Sequence, residues 1–377
     1  MAVVASNSLQ LQREEEAETM ISDQQQEAGA EIMASEEESI MEPENPSLSH
    51  PNIVSSCGMR FQKYQSVWID ANLVPAVNFI QNEFQPRPDD IFFASLPKTG
   101  TTWGKALLYT ILEFTSTGNN PPASPNGNSA ADEKRFGVDE KNPHALVPTM
   151  ETYLFNSSDS EQYDISCFSD FPSPRVLHTH LPIHTLPLLV RSSPTCKIVY
   201  IARNPRDSFV SLWQFYARLR GAGSHYLDGD LGKETVFDAF CSGFYYGGPF
   251  AENVLSYWHE SRRNPNQVMF VTYEDLQADC VGWVKRMALF LGCSSPLLED
   301  NAQIIAEKCS FDTLCNLQVN RKGKVGTLKY GMKNAFFFRE GKVGEWKKHF
   351  TPQMEERIYL EIEQKLSDQG LRFTNSL

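Results

Sequence analysis

Residues 96 to 103 read Leu96-Pro-Lys-Thr-Gly-Thr-Thr-Trp103. A glycine turn that opens a helix presents free backbone N–H groups, and the helix N-terminus adds positive potential, so phosphate-like anions bind there. In this string Gly100 admits a close backbone approach, Thr101 and Thr102 add hydroxyl donors beside Thr99, and Lys98 adds a formal charge. The pattern is not a Walker A loop, which closes on Gly-Lys-Ser/Thr; here the lysine precedes the glycine by two positions. A second candidate anion grip is Arg203 with Ser211 eight residues on, because a guanidinium can hold a phosphate through two parallel hydrogen bonds. A third group is His178, His180 and His184. Neutral imidazole accepts a proton near pH 7. A metal reading of these three histidines has no carboxylate placed to complete it.

These residues need elements that hold them. The string Ile91-Phe-Phe-Ala-Ser-Leu96 is short, apolar and bounded by turn residues, which predicts a buried strand. Helical spacing follows over 101–114, so the glycine turn joins a strand to a helix, the start of a βαβ unit. Further strands are predicted at 175–178, 197–202 and 268–273, and helices at 205–219, 278–291 and 352–367. Strands alternating with helices predict a three-layer α/β/α fold around a central, mostly parallel sheet. Such sheets bind ligands at the carboxyl ends of their strands. Arg203 and Ser211 then face an anion there, and alternation puts His178 and His180 on one strand face. Residues 116–147 are rich in Asn, Pro, Gly and Ser and read as a long surface loop.

The 377 residues carry 34 Lys and Arg against 47 Asp and Glu, a net charge of −13. The imbalance sits in residues 1–50, which hold twelve acids and one base, Arg13. The remainder is nearly neutral, so bulk acidity says little about the ligand, and no basic stripe marks a nucleic-acid binder. The Glu, Gln and Ser-rich start predicts a disordered acidic leader over 1–55, followed by a single domain over 56–377. The leader lacks the basic start and apolar core of a targeting peptide, and no apolar run is long enough to span a membrane. Eight cysteines without a C-x-x-C pair predict free thiols in a reducing compartment rather than a zinc site. The location expected is therefore cytoplasmic, with no metal.

The string around Lys98 resembles the 5′-phosphosulfate loop of cytosolic sulfotransferases, which move a sulfuryl group from 3′-phosphoadenosine-5′-phosphosulfate (PAPS) to an alcohol or phenol. The resemblance covers about residues 60–375. Phe93-Ala-Ser-Leu-Pro-Lys-Thr-Gly-Thr-Thr-Trp103 and Asn334-Ala-Phe-Phe-Phe338 look most like the plant soluble branch. The resemblance implies PAPS as co-substrate, held by Lys98, Thr99, Gly100, Thr101, Thr102 and Trp103 at the 5′ end. It implies Arg203 and Ser211 on the 3′-phosphate, with Arg339, Glu340 and Gly341 from the string Arg339-Glu-Gly-Lys-Val-Gly-Glu-Trp346. Glu340 stands where the family has Lys or Arg; it is expected to point away, with Lys342 as a compensating charge. Arg321-Lys-Gly323 mimics this element without the trailing tryptophan and is read as a decoy. Trp103, Tyr273 and Phe311 match positions around the adenine, where stacking contributes ~1–3 kcal/mol per base. His180 matches the family's general base and Lys98 its leaving-group stabiliser, in a direct in-line transfer.

Two other readings remain open from sequence. A nucleotide kinase or NTPase predicts a lysine after the glycine and an acidic magnesium ligand, neither evident here. A nucleotide-binding regulator without strong catalysis has Glu340 in its favour and His180 against it. A membrane-bound Golgi carbohydrate sulfotransferase requires an anchor, and none is seen. The acceptor pocket is expected from 60–85, 116–170 and 220–250, and the plant-like pattern allows flavonoids, steroids, hydroxyjasmonates or desulfoglucosinolates. The segment before Glu356 partly resembles a family dimerisation element in which Pro352 replaces Val, so a monomer or weak homodimer is expected.

Overall fold

A computed structural model describes residues 53–54, 59–116, 137–157, 163–221, 232–293, 296–325 and 332–373. The chain divides into two units, Met1–Pro51 and Asn52–Leu377. The first contains most of the expected leader and lies outside the described residues. In the second, a small antiparallel sheet joins β1 (Ile53–Val54), β2 (Arg60–Tyr64) and β3 (Val67–Asp70). Pairing thus begins two residues inside the range read as leader. Helix α1 (Val74–Glu83) packs its buried Val74 and Val77 against this sheet, with Tyr64, Val67, Ile69 and Leu181.

The central sheet contains β4 (Ile91–Ala94), β5 (Val176–Thr179), β6 (Lys197–Ala202) and β7 (Val268–Thr272). All are parallel, in the spatial order β5-β4-β6-β7. Their near-continuous apolar runs are buried because both faces are covered. Alternation sends Phe92, Ala94, Leu177, Ile198 and Tyr200 into one core, and Ile91, Phe93, Val176, Val199 and Ile201 into the other. Burying one such large side chain contributes ~1.5–3 kcal/mol.

On the second face lie α2 (Thr101–Ser116), α3 (Pro143–Leu146) and, later in the chain, two helices over 280–290 and 296–308. Gly104 lets α2 sit directly on the sheet: a Cβ there would lie 2.4 Å from Phe93 Cζ and 2.6 Å from Ile201 Cδ1. On the first face lie α4 (Met150–Ser157), α5 (Pro205–Gly221) and α6 (Phe250–Arg263), joined by the carboxyl-terminal segment. The expected α/β/α layering is therefore present. The helix expected over 352–367 is instead Pro352–Ile358 and Gln364–Asp368, with a wider π-helical turn over Tyr359–Glu363 between them.

The strand order fixes where ligands bind. From β4 the chain goes to β5 on one side, then crosses back to β6 on the other. The crevice between the carboxyl ends of β4 and β6 is the point where strand order reverses. Each central strand delivers one candidate just past its end: Lys98 after β4, His180 after β5, Arg203 after β6 and Tyr273 after β7.

Candidate active site

The turn after β4 is built for a close backbone approach. Lys98 takes φ 71° and Gly100 φ 112°, a region in which side chains are strained and glycine is not. A Cβ on Gly100 would lie 3.0 Å from Tyr273 Cδ2. Thr99 turns inward: its hydroxyl donates to the carbonyls of Leu96 at 2.8 Å and Ile201 at 3.2 Å, tying the loop to β6. Lys98 Nζ lies 4.1 Å from the centre of the Phe215 ring. Burial, and then the charges of Arg218, Arg339 and Arg203, push the Lys98 ammonium down to about 7. Three arginines acting on one buried lysine is an arrangement that an anion relieves.

Arg203 is 5% exposed and stacks on Tyr273, with its guanidinium carbon 4.5 Å from the ring centre. One Nη donates to the Lys342 carbonyl at 2.7 Å, while Nε is buried with no partner among the described residues. The indole Nε1 of Trp103 and Nε of Arg339 are buried and unpartnered in the same way. Buried polar atoms are normally hydrogen-bonded, so these orphans fit a polar ligand. Ser211, also buried, lies in α5.

The strand-end residues are tied to the Arg339-Glu-Gly segment. Tyr273 Oη and Gln277 Nε2 donate to the Gly341 carbonyl at 3.0 and 2.7 Å. Phe311 lies against Gly341, where a Cβ would approach its ring to 2.5 Å. Asp207, at the start of α5, accepts from the backbone N–H groups of Gly344 (2.7 Å) and Trp346 (3.0 Å). Arg339 pairs with Glu345 and donates to Gln214 at 3.2 Å. Glu340 is turned outward and lies 3.8 Å from Lys342, both substantially exposed.

His180 follows β5. Its Nδ1 lies 2.6 Å from the Ser95 carbonyl. A carbonyl only accepts, so Nδ1 carries the hydrogen and Nε2 is the bare, basic nitrogen. Burial pushes its pKa down to about 3, so the ring is neutral at physiological pH. Glu151 on α4 accepts from the His180 backbone N–H at 3.1 Å and from Tyr246 Oη at 2.8 Å, fixing the turn. His178 is fully buried behind His180, with ring centres 4.4 Å apart. His184 is exposed and contacts the Gln65 carbonyl.

A cavity of about 1160 Å³ unites the site. Lys98, Gly100, Thr101, Thr102, Trp103, His180, Arg203, Ser211, Tyr273, Phe311, Arg339 and Gly341 all line it. Thr99 and Glu340 do not, and neither does the decoy arginine, Arg321. The cavity is also walled by residues such as Arg60, Phe61, Asp70 and Tyr153, within the expected acceptor segments, and by Phe336 and Phe337, which lie outside them. His144, in the stretch read as a loop, also lines the cavity, stacked on Phe337 at 3.9 Å. Its short helix α3 carried a sequence signal: Asn142 caps it and Pro143 occupies the first turn. Among the described residues, no cluster of three His, Cys, Asp or Glu is placed to hold a metal.

A family model described as sulfotransferase domain matches residues 88–370. Cytosolic sulfotransferase 12 of Arabidopsis thaliana is 37% identical over 318 residues, covering 83% of this chain and 88% of that protein. Cytosolic sulfotransferase 5 of the same plant is 37% identical over 330 residues, 86% of this chain and 94% of that one. A solved Arabidopsis thaliana sulphotransferase shares 32% identity and a TM-score of 0.62, over 86% of this chain and 93% of that one. Mouse sulfotransferase SULT7A1, solved with PAP, gives 26% identity and a TM-score of 0.59, over 82% of this chain and 95% of that one.

Proposed function

The chain belongs to the sulfotransferase family, and from that premise we propose that it sulfates a hydroxyl group of a small-molecule acceptor with PAPS as donor. The observation that carries the proposal is the convergence of Lys98, His180, Arg203 and Tyr273 from four parallel strand ends on one cavity. PAPS supplies the sulfuryl group, and the acceptor oxygen displaces the 3′,5′-bisphosphate from sulfur. His180 takes the acceptor proton on Nε2, the nitrogen left bare by the Nδ1–H bond to Ser95. Lys98 and the N–H groups at the start of α2 stabilise negative charge on the leaving oxygen. Arg203 and Ser211, backed by Arg339, receive the 3′-phosphate. Tyr273, Trp103 and Phe311 enclose the adenine, and Gly341 closes over it through its backbone.

The acceptor is proposed to be a plant-type hydroxyl compound of the flavonoid, steroid, hydroxyjasmonate or desulfoglucosinolate kind. Among the described residues no helix is long and apolar enough to cross a membrane, and the relatives are named cytosolic, which supports a cytoplasmic enzyme. Residues 56–377 are proposed to act as one domain, monomeric or weakly dimeric, with 1–55 outside the chemistry. Calorimetry with PAP and with ATP, followed by labelled-PAPS transfer to these acceptor classes, tests the reading. Tight PAP binding with transfer to at least one class is expected. Preference for ATP would overturn it in favour of a nucleotide kinase.

A further inference from the structure

Lys105 is a lysine with no exposed surface, one turn into α2 and away from the donor site itself. Its Nζ lies 3.1 Å from Thr149 Oγ1 and 3.4 Å from His144 Nδ1. From these two contacts a chain of hydrogen bonds runs in each direction. On one side His144 Nε2 lies 2.9 Å from Thr102 Oγ1. On the other, Thr149 Oγ1 lies 2.9 Å from His178 Nδ1, His178 Nε2 lies 3.0 Å from Ser95 Oγ, and Ser95 Oγ lies 2.8 Å from Thr101 Oγ1. Both chains end on the threonines that open α2 and line the cavity.

Donor and acceptor rules then orient the whole set. Burial pushes the Lys105 ammonium down to about 7; in its charged form it donates to both partners and never accepts. His144 Nδ1 must therefore accept, which leaves its hydrogen on Nε2, pointing at Thr102 Oγ1. Thr149 Oγ1 accepts from Lys105 and donates its hydroxyl hydrogen to His178 Nδ1. His178 then carries its hydrogen on Nε2 and donates to Ser95, which donates to Thr101. Both histidines are held far below their ordinary pKa, chiefly by burial, so each has one ring hydrogen to place.

We propose that Lys105 is a positioning residue that polarises both chains outward, so that the hydroxyls of Thr101 and Thr102 each accept from the interior and donate to the anion in the cavity. Thr101 has otherwise only a long 3.4 Å contact to the Leu96 carbonyl, which is readily exchanged for a charged acceptor. The ligand in this inference is the one assigned under the proposed function, and to that extent it rests on that reading. The tautomers do not depend on it.

Two measurements on the full chain test the inference. Nitrogen-15 histidine spectra of the ligand-free protein should show His144 and His178 protonated on Nε2, with His180 protonated on Nδ1 as an internal contrast. An Nδ1 hydrogen on either His144 or His178 overturns the proposal, whether or not PAP binds. Calorimetry should show that Lys105→Met weakens PAP binding about tenfold, the worth of one hydrogen bond to a charged group. Thr102→Val should then cost less in the Lys105→Met background than in the native chain, because its donor is already misdirected. Unchanged PAP affinity in Lys105→Met, or strictly additive effects, would overturn the proposal. Failure of the native chain to bind PAP would instead sink the functional reading and leave the tautomers to decide the role of Lys105; the same spectra decide it if Lys105→Met does not fold.

Discussion

Replacing Arg203 by methionine isolates the proposed 3′-phosphate contact. Methionine keeps an apolar stem over the Tyr273 ring, which the guanidinium now covers at 4.5 Å. One Nη is already engaged by the Lys342 carbonyl at 2.7 Å, and the buried Nε has no protein partner. The ligand contacts therefore fall to Nε and the other Nη, a fork suited to two phosphate oxygens. A hydrogen bond to a charged group contributes ~1.5–3 kcal/mol, so losing the fork should cost about 3 kcal/mol, roughly a hundredfold in Kd. Some loss will also come from the released Lys342 carbonyl. Adenosine 5′-phosphate controls for it, because that ligand lacks the 3′-phosphate but uses the same loop. Calorimetry of both ligands on both proteins should show the native preference for PAP collapsing in Arg203→Met. An unchanged PAP to adenosine 5′-phosphate ratio would refute the assignment, even if both ligands bound more weakly.

Three further outcomes follow from the same geometry. Gly100→Ala places a Cβ 3.0 Å from Tyr273 Cδ2 at φ 112°, and should weaken PAP binding at least tenfold by calorimetry; native affinity would show that the turn tolerates a side chain. Lys98, pushed down to about 7 by burial and neighbouring arginines, regains its ordinary basicity beside an anion, so PAP binding at pH 8 should take up a proton. Calorimetry in buffers of different ionisation enthalpy reads that uptake, and Lys98→Met should abolish it. His144, His178 and His180 all have depressed pKa values. Below about pH 6.5 the unfolded chain binds protons that the folded chain refuses, so stability falls as pH falls, by about 1.4 kcal/mol per pH unit for each histidine. Urea unfolding at pH 7.5 and 5.0 should show the loss, and His178→Gln should flatten it.

The parts of the site that are continuous in sequence were readable before the fold was known. Leu96 to Trp103 is a strand-to-helix turn whose chemistry lies in adjacent residues, and Arg203 and His180 each follow directly on a strand readable from sequence. The residues that support them were not readable, because their partners are remote: Lys105 reaches Thr149 across 44 positions, and Asp207 holds Gly344 across 137. Nothing in the residue type of Asp207 distinguishes a clamp on the carboxyl-terminal segment from an acid in the first turn of a helix. Thr99 shows the opposite limit. It belongs to the motif by sequence, yet its hydroxyl is spent on the Leu96 and Ile201 carbonyls. Thr272 caps a helix over Tyr273–Ala278 by accepting from the Asp275 N–H, and a threonine followed three residues later by an acid marks such a start.

The central claim is sulfuryl transfer with His180 as base, and it is tested most directly by comparing the native chain with His180→Ala. Incubated with sulfur-labelled PAPS and an accepted hydroxyl compound, the native chain should release labelled ester and PAP in equal amounts. His180→Ala should release neither at a measurable rate while binding PAP with near-native affinity. Turnover by His180→Ala close to the native rate would contradict the account.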